Sequence, residues 1–214
     1  MMPAAQDFLQ RPFGRMLPDM NERDPIRCGF SDEEWAAALP WAEYFATVED
    51  KRDIWESNAR RALVDEYAEA RLSNLPGPRR ILVLTEDWCG DAARTVPAIA
   101  KALDAAPLVE HRYLNSDTHP ETIDRYLTHG GRAIPMVVAQ DGEGNALGIW
   151  GPRPAALQAL MRAQQRDLGP PAKGDPDAMG KWYAPIMAWY ARDKGRTTIE
   201  ELLMLLERGG RARD

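Results

Sequence analysis

Ile81-Leu82-Val83-Leu84-Thr85-Glu86-Asp87-Trp88-Cys89-Gly90-Asp91-Ala92-Ala93-Arg94-Thr95-Val96-Pro97 is the run that decides how this chain reads. Ile81 to Leu84 are apolar and rich in branched side chains, the composition of a short buried strand. Thr85, Glu86 and Asp87 then make a polar break, in which Thr85 and Glu86 could shape the groove but read more plainly as a solvated loop. From Ala92 to Leu103 the pattern is helical, with Val96, Ile99, Ala100 and Leu103 on one stripe. Cys89 therefore falls where a strand hands over to the first turn of a helix. Unpaired backbone N–H groups and the positive end of the helix dipole gather at such a turn, and both favour a thiolate over a thiol. Asp87 and Asp91 are nearby acids whose charge works the other way, so residue types alone leave the ionisation of Cys89 open.

Trp88-Cys89-Gly90-Asp91 after a buried strand, with Pro97 eight residues past the cysteine, resembles the active-site segment of thioredoxin-like proteins. Ile134-Pro135-Met136-Val137-Val138, followed by Asp141-Gly142, is similar to the family's cis-proline and the antiparallel hairpin it leads into. The resemblance runs from about Ala62 to Arg166. It implies an α/β thioredoxin-like fold: a central mixed sheet of about four strands with helices on both faces, and helical extensions at both ends. The implied spatial order is second, first, third, fourth strand, with the last two antiparallel to the others. It also implies a cis Ile134–Pro135 bond whose backbone faces Cys89 and pairs with a substrate's extended backbone. Cys89 is then the candidate catalytic residue, and Trp88, Gly90, Asp91, Ile134 and Pro135 are the candidate substrate contacts, with Trp88 shielding the thiol.

The departures from the family narrow the chemistry. The second active-site cysteine of the family falls on Ala92, and the buried Asp that often stands six positions before the first cysteine is Val83. A single thiolate can attack a disulfide or an S-thiolated cysteine, but it has no neighbouring thiol to expel the partner it has captured. The expected function is a thiol–disulfide oxidoreductase of monothiol type, acting on protein or small-molecule thiols and disulfides and turning over with a second thiol from solution. Two other readings stay open: a non-catalytic thioredoxin-fold protein that uses the groove to bind a partner, and a thiol-based redox sensor. Cys28 would favour the sensor if it lay within disulfide reach of Cys89, although an ordinary cysteine is the plainer reading.

Composition sets the outer bounds. The 214 residues, 44% hydrophobic and 28% charged, suit a soluble globular chain with one core domain and extensions. A net charge of −6 argues against nucleic acid as the main partner, and the arginines from Arg208 to Arg213 read as a short solvated tail. No apolar run approaches the ~18 residues of a membrane span, and no basic-then-apolar leader opens the chain. With two cysteines there is no disulfide framework, so the expected location is cytoplasmic, with no membrane partner. His111, His119 and His129 lack metal-ligand spacing, and Gly142-Glu143-Gly144 precedes no helix, so no metal or cofactor is expected.

The expected organisation is an N-terminal arm and helical extension over 1–61, a core over 62–168 and a C-terminal helical extension over 169–214. The arm to residue 30 is punctuated by prolines and is expected to pack through Phe8, Leu9, Phe13, Met16 and Leu17. Ser31-Asp32-Glu33-Glu34 is a capping-box pattern before a short helix that stops at Pro40. A second short helix carries Trp41, Tyr44 and Phe45, and one long amphipathic helix is expected from about Asp50 to Leu72. Leu108–Leu114 alternates as a strand, and Pro120 opens a helix that Gly130-Gly131 ends. Met136–Ala139 and Ala146–Trp150 read as a hairpin, followed by a helix through Leu157, Leu160 and Met161. Two more helices are expected, an aromatic one over Asp177–Arg192 and one over Thr197–Glu207 with a cap near Thr198. The aromatic helix reads mainly as core, with coverage of the active-site face as the alternative.

Overall fold

Apolar runs bounded by turn residues become strands here, and each strand finds a neighbour that covers it. The structure, a computed structural model, describes residues 29–128, 130–170 and 174–208. The packing expected of Phe8, Leu9, Phe13, Met16 and Leu17, the position of Cys28, His129 and the arginine-rich end past Arg208 lie outside the described residues. In chain order the elements are α1 (Asp32–Ala37), α2 (Trp41–Thr47), α3 (Arg52–Arg61), α4 (Glu66–Ser73), β1 (Arg79–Thr85), α5 (Ala92–Asp104), β2 (Val109–Asn115), α6 (Pro120–Ile123), β3 (Met136–Asp141), β4 (Ala146–Trp150), α7 (Ala155–Leu168), α8 (Pro176–Asp193) and α9 (Arg196–Leu206).

The sheet has the order β2-β1-β3-β4, as the resemblance implies. β1 is parallel to β2 and antiparallel to β3, and β3 is antiparallel to β4. β4 therefore runs in the direction of β1 and β2, which corrects the expectation that both last strands oppose the first two. The reason is local: Asp141 accepts from the N–H groups of Glu143 and Asn145 at 3.0 and 2.8 Å, and the tight turn it builds reverses the chain.

Helices cover both faces. On one, the guanidinium groups of Arg80 and Arg112 lie 4.6 and 5.2 Å from the ring centre of Trp35 in α1. On the other, His111 meets Asp104 of α5 at 3.0 Å, and Tyr113 packs against Trp41 and Tyr44 of α2 at ring distances of 5.0 and 5.5 Å. Arg79 donates to the Leu206 carbonyl of α9 at 2.9 Å on that side. With strands on both flanks and helices on both faces, Leu82, Val83 and Leu84 of β1 are fully buried. A second, smaller apolar cluster joins α7 to α8 through Leu157, Trp182 and Ile186.

Three helices differ from the periodicity reading. The stretch from Asp50 to Leu72 is two helices, because Asp65 caps α4 by accepting from Ala68 N–H at 2.9 Å, and Lys101 Nζ takes up the freed Ala62 carbonyl at 2.8 Å. After Ile123 the chain tightens into a 3-10 turn over Asp124–Tyr126 and leaves helical geometry at Leu127. α9 starts behind Gly195, with Asp193 accepting from Thr197 N–H at 3.2 Å, so Thr198 is buried inside the first turn and caps nothing. The capping box on α1 is as read, with Ser31 Oγ accepting from Glu34 N–H at 3.2 Å and Glu34 accepting from Ser31 N–H at 2.8 Å.

Candidate active site

Cys89 sits in the turn between β1 and α5, and only 8% of its surface is exposed. Its Sγ donates to the Ile134 carbonyl at 3.4 Å, and the Ile134–Pro135 bond is cis. Burial pushes the thiol up; the N–H groups of Ala92 and Asp91 oppose that by bonding to the sulfur. The Asp91 charge adds to the upward shift, and the Arg153 charge works against it. The net direction is upward, so desolvation outweighs the helix start. Ala92, where the resemblance would put a second cysteine, is fully buried.

The strand side of the turn is strapped to the helices before it. The Asp87 carboxylate accepts from the N–H groups of Glu49 and Asp50, both at 3.0 Å, and its carbonyl accepts from Trp55 Nε1 at 3.0 Å. Burial alone would raise the Asp87 carboxyl; those two N–H groups and the Lys51 charge hold it below the ordinary value. Lys51 stands at φ 51°, and its Nζ donates to the Trp88 carbonyl at 2.6 Å. Asp87 therefore serves the α2–α3 turn and not the thiol.

Thr85 and Glu86 are buried, which corrects the solvated-loop expectation. Glu86 Oε1 accepts from Ser116 Oγ at 3.2 Å and from Asp117 N–H at 2.6 Å, joining the end of β1 to the loop after β2. Burial pushes this carboxyl up, with the Asp117 N–H opposing. Trp88 is 46% exposed and its Nε1 donates to Asp117 at 3.0 Å, so the indole rides on that same loop.

The helix side of the turn meets the C-terminal elements. Gly90 offers its carbonyl to Arg94 Nη1 at 2.6 Å. Asp91 stands at the start of α5 without capping it. One carboxylate oxygen accepts from the Tyr190 hydroxyl of α8 at 2.7 Å, and the other pairs with the Arg153 guanidinium. Arg153 reaches it because the loop between β4 and α7 packs on the Ile134–Pro135 turn. Gly151 there has φ 129°, and a Cβ on it would lie 2.2 Å from the Pro135 carbonyl oxygen.

Among the residues named from sequence, Cys89, Asp91, Ile134 and Pro135 come together, while Trp88 and Gly90 flank them. Lys51, Trp55 and Arg153 are neighbours that the sequence did not assign to the site. Glu86 had a signal as a residue that could shape the groove, and Tyr190 had one through the alternative that placed the aromatic helix over the active-site face. Among the described residues there is no acid, histidine and cysteine cluster that could hold a metal ion, and no helix long and apolar enough to cross a membrane.

A protein of unknown function from Pseudomonas aeruginosa matches the fold at a TM-score of 0.63 and 21% identity, over 82% of this chain and 96% of that one. An HIV epitope scaffold matches at a TM-score of 0.52 and 20% identity, over 80% of this chain and 99% of the scaffold. No curated protein matches. A family model described as thioredoxin matches residues 38–167. That match spans more than half of the chain and takes in both Cys89 and the Ile134–Pro135 turn, and the chain belongs to the thioredoxin-like superfamily.

Proposed function

We propose that the chain is a thiol–disulfide oxidoreductase of monothiol type, with Cys89 as its nucleophile. The observation that carries this reading is the 3.4 Å contact between Cys89 Sγ and the Ile134 carbonyl, with Cys89 in the turn that opens α5. A substrate strand that takes the Ile134 backbone would free the sulfur from that carbonyl and bring a disulfide to it. The thiol gives its proton to solvent, and the thiolate attacks one sulfur of a disulfide. An S–S bond forms to Cys89 as the substrate S–S bond breaks, and the other sulfur leaves as a thiolate. Ala92 offers no second thiol, so a low-molecular-weight thiol then attacks the mixed disulfide, leaves joined to the substrate fragment and regenerates Cys89. Ile134 and Pro135 form the wall facing the substrate, and Trp88, Gly90 and Asp91 the rim. A free thiol of this kind suits a reducing compartment such as the cytoplasm.

The test is alkylation of Cys89 in the folded protein with Cys28→Ser as background. The rate is expected to rise with pH through a value above the ~8.5 of a free thiol, and to vanish in Cys89→Ser. A mixed disulfide formed with a small disulfide should be cleared by added low-molecular-weight thiol. Reaction only after unfolding would overturn the proposal. The burial of Cys89 favours a second reading, in which the groove binds an extended partner without covalent chemistry. Under it, Cys89→Ser leaves partner binding intact.

A further inference from the structure

Three elements converge on one carboxylate beside the thiol. Asp91 at the start of α5 accepts from Tyr190 of α8 at 2.7 Å and pairs with Arg153 of the β4–α7 loop. The Asp91 and Arg153 side chains are 16% and 21% exposed, so solvent screens this pair less than a surface ion pair. Arg153 is braced in turn by Gln158, which accepts from its Nη1 at 3.2 Å. The Arg94 guanidinium lies 5.8 Å from the ring centre of Tyr190 and closes the same cluster from α5.

We propose that Arg153 and Tyr190 are positioning residues for Cys89 that act through Asp91: they hold and neutralise its carboxylate, and so decide how readily the neighbouring sulfur becomes a thiolate. The proposal rests on the reading of Cys89 as nucleophile. Without the two donors, Asp91 would present an uncompensated negative charge two residues from the sulfur, at a site where burial already disfavours the thiolate. With them, Arg153 and Tyr190 take up that charge. The other charged or titratable groups around the turn are Arg94 of α5, the Tyr44 hydroxyl of α2, Lys51 before α3, Glu86 and Asp87 at the end of β1, and Asp117 after β2. Asp87 and Glu86 are engaged by backbone N–H groups of other segments, Asp117 by Trp88 Nε1 and Lys51 by the Trp88 carbonyl, which leaves Asp91 as the acid that the C-terminal elements pair.

The experiment is a carbon-13 NMR titration of the Cys89 Cβ in the full chain, with Cys28→Ser as background. Arg153→Gln should move the titration midpoint up by on the order of one pH unit, and Tyr190→Phe should move it up by less. Arg153→Lys should stay near the unsubstituted midpoint. Combining Asp91→Asn with Arg153→Gln should bring the midpoint back, because the charge that Arg153 answers is gone. An unchanged midpoint in folded Arg153→Gln, or a shift that persists without the Asp91 charge, overturns the proposal. Should Arg153→Gln fail to fold, an unchanged midpoint in Tyr190→Phe overturns it. The titration reads ionisation whether or not Cys89 attacks disulfides. A midpoint that responds in a protein with no disulfide chemistry would therefore sink the oxidoreductase reading and leave this coupling standing.

Discussion

The main core and the α7–α8 pair hold together in different ways. β1 has a strand on each flank and helices on each face, and its central residues reach zero exposure. The α7–α8 pair spans helices of 14 and 18 residues, yet Leu157, Trp182 and Ile186 are its buried hydrophobic side chains. Much of what ties it down is polar. Trp182 Nε1 donates to the Gly169 carbonyl at 3.0 Å, Gln164 to the Trp182 carbonyl at 3.1 Å, and Tyr190 to Asp91 at 2.7 Å. Apolar burial accumulates at about 25 cal/mol per Å² of area, whereas a hydrogen bond nets only about 0.5–1.5 kcal/mol, since water replaces it in the unfolded chain. The pair is therefore the region expected to open first, and it is also the region that touches the turn carrying Cys89.

The largest test of that contrast is Leu82→Ala. Leu82 is fully buried between β2 and β3, and its loss should cost about 2–5 kcal/mol of global stability in a denaturant titration. A loss under about 1 kcal/mol would break the comparison, because the core would then be no tighter than the pair. Trp182→Ala should come next, costing about 3 kcal/mol and acting locally. Hydrogen exchange should speed up across Ala155–Leu168 and Pro176–Asp193 while β1 and β3 keep their protection. Equal loss of protection in β1 would mean that the two regions unfold as one.

The smallest effect concerns the joint between them. Glu201 of α9 accepts from Trp150 Nε1 of β4 at 2.7 Å and from the Ala155 N–H that opens α7 at 2.8 Å. Burial pushes its carboxyl up, with those two donors opposing. The folded state thus keeps a proton at pH values where the unfolded chain has released it, and stability declines as pH rises from about 4.3 toward the raised value. Glu201→Gln removes that decline. Melting temperatures of the two proteins across pH 4–8 should drift apart in favour of the variant as pH rises, and parallel curves would sink the assignment.

Much of this was legible in the chain itself. Branched apolar residues from Ile81 to Leu84, the helical stripe from Val96 to Leu103 and the Asp141–Asn145 turn sufficed for the strand–turn–helix around Cys89 and for the β3–β4 hairpin. Ser31 and Glu34 specified the start of α1, and Ala92 ruled out a neighbouring second thiol. These features rest on interactions a few residues long, which a sequence displays directly. Tertiary structure alone decided the break between α3 and α4, where Lys101 arrives from α5, and the burial of Thr85 and Glu86. It also decided the state of Cys89. Desolvation and charge pairing depend on what packs against a group, and the partners of Asp91 arrive from Arg153 and from Tyr190, 99 positions away. No local pattern records that distance, so the sequence determined where the thiol stands and the packing determined how it ionises.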